Sequence, residues 1–290
     1  MDRNWTMKSP LQLIALSLVI ILLCLSSTTI VTAKGGAEQT FYVGVVPQYD
    51  ARKIHRIWVP ILQALEKSTG AHFKLVGTPT ITDFENRLNA GFFDFAYMNP
   101  YDLLLANKRQ GYTPLVRDIA ERLHGVLVVK KDSPIMTPAE LDGKTVAFPA
   151  PNALGASLMM RADLQDIFKI KIRPRYVKTH SSVYLNVVLG VSSAGGGVQQ
   201  TLDQQPQNIR DALRVLYQTR DVPSHPFSVH PGVPPALARQ VRETLLALGK
   251  TEHGLSLLMN IPIKNIGATS MEEYRSLQEI GVEQFHEEEQ

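Results

Sequence analysis

The 290-residue sequence predicts an α/β protein with two lobes, each a mostly parallel sheet flanked by helices. Strand and helix patterns alternate from residue 41 onward, which is typical of a sheet with helices on both faces. The alternation restarts after the turn residues Ser133 and Pro134. The order of helix, glycine, short strand and turn in residues 84–97 also recurs in residues 184–198. Together these observations indicate two similar halves.

The first half of the chain has the clearest helix and strand patterns. Residues 41–46 form an apolar run typical of a buried strand, which Pro47 ends. Apolar side chains between Ile54 and Leu65 recur with helical spacing, and Gly70 ends this helix. The remaining predictions are strands at 73–76, 93–97, 113–117 and 126–130, and helices over 83–90 and from Pro100.

The second half repeats this organisation. The predicted strands are 145–148, 173–178, 194–198, 214–218 and 227–230. Helices are predicted over 153–168, over 182–189 and from residue 234 onward. Because helices separate most of the strands, the pattern favours parallel pairing within each lobe.

The N-terminal segment predicts export. Arg3 and Lys8 precede an apolar stretch over 11–25, and small residues then lead to Ala33. This order is typical of a secretory signal peptide, so residues 1–33 are predicted to be removed and the protein to be periplasmic or otherwise extracytoplasmic. A retained membrane anchor is the alternative, although the apolar stretch is shorter than the roughly 20 residues that a spanning helix needs.

Composition and motifs argue against catalysis. Cys24, the only cysteine, lies in the predicted leader, where lipid attachment is a lesser alternative, so the processed chain has no thiol nucleophile or disulfide. The sequence has no G-x-S-x-G motif and no glycine-rich phosphate or dinucleotide loop. The formal net charge is +3 with acidic and basic residues interleaved, which gives a nucleic-acid partner little electrostatic support. We therefore predict no enzyme activity, no cofactor and no metal.

Loops that follow predicted strands carry the candidate ligand-binding residues. Open α/β sheets bind ligands beyond the carboxyl ends of their strands, where helix N-termini offer N–H groups. The candidates are Gln48, Tyr49, Tyr97, Asn99, Tyr101, Asn152, Ala153, His180, Ser181, Gly197 and Gln199.

Each candidate also has a purely structural interpretation. Asn152 and Ser181 could only cap helices, and the glycines at 195–197 could only permit tight packing. His180 is the most informative polar residue, since it lies between a predicted strand and a helix. An imidazole there can donate a hydrogen bond to an anion. Protonation adds a positive charge to it, so anion binding is predicted to tighten as the pH falls from about 8 to 6.

Four stretches together resemble the phosphonate/phosphite ABC-transporter substrate-binding family of type 2 periplasmic binding proteins. These stretches are 43–47, 84–100, 141–148 and 179–183, within a resemblance that spans about residues 40 to 260. The resemblance implies two lobes joined by a two-segment hinge, with ligand bound in the cleft between them. It places the crossings near 123–130 and 225–230, lobe 1 at 34–128 and 226–290, and lobe 2 at 129–225.

One loop departs from the pattern of this family. A Ser-Thr-Ser-Gly-like loop binds the phosphonate in the family, and residues 152–155 read Asn-Ala-Leu-Gly instead. Gln199 likewise stands at an acidic position of the family. We therefore expect a small anionic ligand, an oxyanion or a carboxylate, and weak binding of phosphonates.

The resemblance implies a solute-binding protein that delivers its ligand to the membrane permease of an ABC importer. A ligand-sensing accessory protein for a membrane histidine kinase is the alternative. Both roles use the same closure on ligand binding, and the sequence does not separate them.

Overall fold

The structure, a computed structural model, describes residues 39–287. The predicted leader, with Cys24 and the cleavage position after Ala33, lies outside the described residues. Within the part that is described, no helix is both long and apolar enough to cross a membrane.

Eleven strands in residues 39–287 form two sheets. In chain order they are β1 (Thr40–Val45), β2 (His72–Val76), β3 (Phe95–Tyr97), β4 (Thr113–Asp118), β5 (Gly125–Lys130), β6 (Thr145–Phe148), β7 (Arg173–Tyr176), β8 (Ala194–Val198), β9 (Leu213–Gln218), β10 (Phe227–Val229) and β11 (Ile266–Ala268). The first sheet has the order β11-β4-β10-β3-β1-β2 and the second the order β7-β6-β8-β5-β9. We call the parts built on them the first and second lobes.

Helices separate most of these strands. The α-helices are α1 (Ala51–Thr69), α2 (Ile81–Asn89), α3 (Pro100–Gln110), α4 (Met160–Asp166), α5 (His180–Val188), α6 (Gln199–Asp203), α7 (Gln207–Asp211), α8 (Pro235–Leu248) and α9 (Glu252–Met259). A π-helical segment, Leu154–Met159, leads directly into α4, and 3₁₀ segments lie at Pro138–Leu141, Met271–Glu279 and Glu283–Phe285.

Helix α1 shows how closely the sequence pattern determines an element. The Asp50 carboxylate accepts a hydrogen bond from the Lys53 N–H at 3.0 Å and so caps the helix. The apolar stripe between Ile54 and Leu65 is buried against the first sheet. Gly70 ends the helix with a positive φ of 71°, a conformation that glycine adopts without steric cost.

The two-lobed α/β architecture expected from the sequence is confirmed, with one difference in the pairing of strands. Strand β1 pairs in parallel with β2 and β3, and β6 does so with β7 and β8. Strands β5 and β10 instead pair antiparallel with both of their neighbours. Each sheet is therefore mixed rather than mostly parallel. The reason is that β5 and β10 enter their sheets from the other lobe and not through a crossover helix within the same lobe.

The chain crosses between the lobes at two segments that lie side by side. Leu123 and Val222 exchange backbone hydrogen bonds of 2.9 and 2.8 Å. The crossings are thus 119–124 and 219–226, because β5 belongs wholly to the second sheet and β10 to the first. The expected crossings at 123–130 and 225–230 overlap these segments at 123–124 and 225–226 but extend into β5 and β10, and the expected lobe boundary after residue 128 lies within β5. A buried apolar run such as β5 does not reveal which sheet it joins.

The contact between the lobes is largely apolar. The largest hydrophobic cluster includes Phe41 and Phe95 of the first sheet and also Leu154, Met159 and Val198 of the second lobe. The second lobe has two smaller clusters of its own on the two faces of its sheet. One continuous core therefore extends across the cleft and brings loops of both lobes together.

Glycines set how closely the helix beginning at Leu154 approaches the second sheet. A Cβ on Gly125 of β5 would overlap the carbonyl oxygen of Gly155, and one on Gly196 of β8 would overlap that of Ala156. Only strands without side chains at these positions let the helix backbone pack directly on the sheet. This packing fixes one wall of the cavity described next.

Candidate ligand-binding site

A cavity between the two lobes, here called the cleft cavity, lies where the loops after the strands meet. Its volume is about 20 Å³, close to the space that one water molecule needs. The lining residues from the first lobe and the crossings are Val46, Gln48, Ile81, Asn99, Leu123 and His225. Those from the second lobe are Ala153, Leu154, Gly155, Ala156, His180 and Val198. Both lobes thus contribute about equally to its wall.

Two amide side chains provide the polar groups of the first-lobe wall. The Gln48 Nε2 lies 3.1 Å from the His225 Nε2, which ties the loop after β1 to the second crossing. Asn99 caps α3, because its Oδ1 accepts from the N–H groups of Tyr101 and Asp102, both at 2.9 Å. Its Nδ2 donates to Asp102 at 2.7 Å. Asn99 therefore lines the cavity while its own polar atoms hold the start of α3.

The second-lobe wall is the start of a helix. The Ala153 carbonyl accepts the first helical hydrogen bonds, from the Ser157 and Leu158 N–H groups at 2.7 and 3.1 Å. The N–H groups of residues 154–156 precede this first bond, so they have no acceptor within the helix. With α4 the helix continues unbroken from Leu154 to Asp166, and its N-terminal partial positive charge favours an anion at the cavity.

The two histidines of the cavity are neutral. Burial lowers the pKa of His180 to about 3, and the neighbouring His225 adds to the shift. Burial also lowers the pKa of His225 to about 4. The His180 Nδ1 lies 3.3 Å from the Thr201 hydroxyl. The sequence prediction that His180 gains charge as the pH falls from 8 to 6 is therefore wrong, since an imidazole with this pKa stays uncharged throughout that range.

The three candidate tyrosines lie outside the lining of the cleft cavity. Tyr97 packs its ring on Trp58 and His225, and Tyr101 lies against His286, with ring centres 5.1 to 5.5 Å apart. Tyr49 is 6% exposed, and the Lys53 ammonium lies 3.6 Å from the centre of its ring. Burial raises the pKa of the Tyr49 hydroxyl, and the nearby Asp203 raises it further. Tyr49 borders a small void next to the cleft cavity, which shares Val46 and Gln48 with it.

The Tyr49 hydroxyl is one of the buried polar groups near the cleft cavity. It finds no hydrogen-bond partner among the residues that the structure describes. An unpaired buried hydroxyl costs about 1–3 kcal/mol, so a ligand atom that reaches it would recover this energy. The structure therefore keeps Tyr49 beside the site, although it does not line the cleft cavity.

Asn152 faces away from the cleft cavity and lines a second cavity of about 130 Å³, here called the polar cavity. Its Nδ2 donates to the Glu85 carboxylate and to the Glu287 carbonyl, both at 2.9 Å. Its Oδ1 accepts from the Glu287 N–H at 2.9 Å. Asn152 therefore connects the loop after β6 to helix α2 and to the C-terminal segment, and it does not cap the helix that begins at Leu154.

The remaining candidates have structural partners outside the cleft cavity. Ser181 accepts a hydrogen bond from Gln205 at 3.3 Å, and Gln199 donates to Asp203 at 2.7 Å. A Cβ on Gly197 would overlap the hydroxyl of Tyr184, so this glycine serves close packing within the lobe. Of the eleven candidates, the structure places four in the cleft cavity, namely Gln48, Asn99, Ala153 and His180.

Sequence reasoning missed most of the apolar wall and one polar group. The missed lining residues are Val46, Ile81, Leu123, Leu154, Gly155, Ala156, Val198 and His225. Proximity to a candidate could have identified Leu154 and Gly155, which directly follow Ala153. His225 precedes Pro226 in a crossing segment, and nothing in its local pattern distinguishes it from the other dispersed histidines.

Comparisons with known proteins agree with this geometry. A family described as ABC transporter, phosphonate, periplasmic substrate-binding protein matches residues 43–274. A binding protein component of an ABC phosphonate transporter from Pseudomonas aeruginosa is 14% identical, with a TM-score of 0.74 over 84% of this chain and 85% of that one. PhnD1 from Prochlorococcus marinus, solved with methylphosphonate, is 13% identical, with a TM-score of 0.75 over 84% and 97%. No curated protein matches the chain.

XAC2383 from Xanthomonas citri, solved with chloride and also with ATP, is 18% identical, with a TM-score of 0.68 over 85% of this chain and 98% of that one. At such identities the solved structures establish the fold, and the family match establishes the relationship.

The two-lobed fold, with loops of both lobes at a shared cavity, is that of these solved binding proteins. The chain belongs to the family of phosphonate periplasmic substrate-binding proteins of ABC transporters. Its role is that of a solute-binding protein for an ABC importer, and the sensor-kinase alternative finds no support in these comparisons. The family is a substrate-binding component of a transporter rather than an enzyme.

Proposed function

We propose that the protein captures a small, singly charged oxyanion, such as a short carboxylate, in the cleft cavity and delivers it to the permease of an ABC importer. The observation that carries this proposal is the start of the helix at Leu154, whose first-turn N–H groups border a cavity with an uncharged lining. Gln48 and His180 add neutral hydrogen-bonding groups at the same place.

The charge of the lining favours one negative charge on the ligand over two. A helix N-terminus carries a partial charge of roughly +0.5, which offsets part of one negative charge. The cavity-lining residues that the structure describes are apolar, amide or neutral imidazole groups. A second negative charge would be buried without a counter-charge, which is costly. Methylphosphonate, the ligand in the Prochlorococcus structure, is therefore proposed to bind weakly here.

The apolar part of the wall favours a ligand with a small hydrocarbon group. Val46, Ile81, Leu123 and Leu154 border the cavity. Each CH₂ group buried against such a surface contributes about 0.8 kcal/mol. A short carboxylate combines one charge with such a group.

Entry of the ligand requires the lobes to move apart. A cavity of about 20 Å³ is too small for a solute of several heavy atoms. The paired crossings at Leu123 and Val222 are the proposed hinge, since the chain passes from one sheet to the other through them. A smaller radius of gyration at saturating ligand, measured by small-angle scattering, is the expected result. An unchanged radius would argue for a rigid pocket.

The proposed location is the periplasm, reached through cleavage of the leader. The family is periplasmic by description, and residues 1–33 have the pattern of a signal peptide. Mass spectrometry of the exported protein should give an N-terminus close to Lys34. Intact protein bearing Met1 in the membrane fraction would contradict cleavage.

Calorimetry with three matched ligands tests the charge of the ligand. Propionate carries one charge, propionamide none, and methylphosphonate up to two. We expect propionate to bind more tightly than propionamide, and methylphosphonate at least a hundredfold more weakly than propionate, because its second negative charge would be buried without a counter-charge. Tighter binding of methylphosphonate than of propionate would refute the proposal.

A substitution at Ala153 tests the location of the site. Ala153→Asp puts a carboxylate at the residue before the helix. There the carboxylate accepts hydrogen bonds from the first-turn N–H groups and stabilises the fold. The same carboxylate repels an anion and competes for its donors, so propionate binding should be lost while the melting temperature is kept. Ser181→Asp is the matched control, because it adds the same charge at the start of α5, outside the lining of the cavity.

A further inference from the structure

The C-terminal part of the chain is anchored on the first lobe. Tyr274, Leu277 and Val282 are fully buried in the large hydrophobic cluster. The Tyr274 hydroxyl donates to the Ser224 carbonyl at 3.1 Å, and Arg117 of β4 forms an ion pair with Glu273. This anchoring brings residues 285–287, here called the C-terminal strap, to the edge of the second lobe.

Arg161 holds the strap to the second lobe. Its guanidinium donates to the Phe285 carbonyl at 2.6 Å and to the Pro151 carbonyl at 2.8 Å. It also forms an ion pair of 3.3 Å with the Glu287 carboxylate. The Tyr176 hydroxyl donates to the same carboxylate oxygen at 3.0 Å. A planar guanidinium that joins a loop and a strap in this way fixes their relative orientation.

Asn152 connects the strap to the ligand-binding helix. Its side chain exchanges two hydrogen bonds of 2.9 Å with the backbone of Glu287, in the manner of a paired strand. Asn152 is followed by Ala153, whose carbonyl accepts the first hydrogen bonds of the helix that borders the cleft cavity. One residue therefore separates the contact with the strap from the start of the helix, whose N–H groups at 154–156 border the cavity.

We propose that the C-terminal strap is a positioning element, which holds the loop before Leu154 in its ligand-binding arrangement and stabilises the contact between the lobes. Asn152, Arg161 and Glu287 act as positioning residues and do not touch the ligand. The effect on affinity rests on the function proposed above, whereas the effect on the loop itself does not.

Hydrogen exchange in the protein without added ligand tests the effect on the loop. Asn152→Ala removes the bonds to Glu287 and also the bond to Glu85, whereas Glu287→Ala removes only the acceptor of Arg161 and Tyr176 and does not change the loop. We expect both substitutions to speed amide exchange in residues 153–158 by about tenfold. Glu287→Gln keeps an acceptor oxygen and should restore most of the protection. Glu283→Ala, on an exposed residue of the same segment, should leave exchange unchanged.

The affinity for propionate is the second readout. Each of the two alanine substitutions should raise the dissociation constant about tenfold, and Glu287→Gln should return it near the original value. A lowered melting temperature with unchanged exchange in residues 153–158 would overturn the proposal and leave the strap as ordinary packing. If the unaltered protein fails to bind propionate, the proposed ligand is wrong, and the exchange result still decides the role of the strap.

Discussion

The two cavities on either side of the loop 149–153 differ in size and in chemistry. The cleft cavity has a volume of about 20 Å³ and a lining of apolar, amide and neutral imidazole groups. The polar cavity has a volume of about 130 Å³ and is bordered by the carboxyl groups of Glu85 and Asp102. Asn152 lines one and Ala153 the other, although they are neighbours in the sequence.

This difference distinguishes the proposed anion site from a cavity where the loop contacts the C-terminal segment. The cleft cavity combines a helix start with a lining free of carboxylates among the described residues, so an anion meets no repulsion there. The polar cavity is bordered by the carboxyl groups of Glu85 and Asp102 and also by the guanidinium of Arg109. Burial and the neighbouring Glu85 raise the pKa of Asp102 well above its ordinary value. The cleft cavity, with its uncharged lining and helix start, is therefore the site that we propose for the ligand.

The largest expected effect comes from the glycine that supports the wall of the cleft cavity. Gly125→Ala would place a methyl group against the Gly155 carbonyl, and such overpacking typically costs 1–3 kcal/mol. We expect a loss of about 3 kcal/mol in urea unfolding. Gly77→Ala is the control, since a Cβ there meets no atom within 4 Å. Equal losses for the two variants would show that the helix does not pack as described.

Acidification should destabilise the cleft cavity. The folded-state pKa values of His180 and His225, about 3 and 4, lie below the unfolded value of about 6.5. The unfolded state therefore binds more protons, and stability falls as the pH drops below about 6.5. At pH 5 each histidine should cost about 2 kcal/mol relative to pH 7. His180→Gln should remove about half of this dependence. A flat profile for the unaltered protein between pH 7 and 5 would contradict the burial of both imidazoles.

A hydroxyl added to the wall of the cleft cavity should improve phosphonate binding. Ala153→Ser supplies a donor at the position where the family carries hydroxyl groups, and a hydrogen bond to a charged group contributes roughly 1.5–3 kcal/mol. We expect at least tenfold tighter binding of methylphosphonate in calorimetry. Ala150→Ser, in the same loop but outside the lining, should have no such effect. Equal affinities for the two variants would place the oxyanion elsewhere.

Acidification should have the opposite effect on stability through Asp102 of the polar cavity. Because the pKa of Asp102 is raised in the folded state, its ionisation at neutral pH opposes folding, and this cost is relieved as the pH falls through the folded-state pKa. Asp102→Asn keeps an acceptor for Asn99 and should give a small gain in stability at pH 7, measured by thermal unfolding. A clear loss would show that the ionised carboxylate is a required partner.

The sequence was informative where local patterns determine structure and uninformative where the two lobes meet. The stripe from Ile54 to Leu65 and the stop at Gly70 follow from spacing and backbone conformation, and the structure has both. Two features depend on contacts between distant parts of the chain. They are the sheet that β5 joins and the side of the loop to which Asn152 turns. Local spacing carries no information about such contacts.

Burial explains the incorrect prediction for His180. The position between a strand and a helix was sufficient to place this residue at the cavity. Its neutral state depends on burial and on the nearby His225, which is 45 residues away in the sequence. The packing of the whole interface is therefore needed to assign its charge.

A crystal structure of the processed protein grown with propionate would locate the bound carboxylate. We expect carboxylate density in the cleft cavity, with its oxygens within about 3 Å of the N–H groups of residues 154–156. The hydrocarbon group should face Val46 and Ile81. Density for propionate in the polar cavity beside Glu85 and Asp102, with none at the helix start, would contradict it.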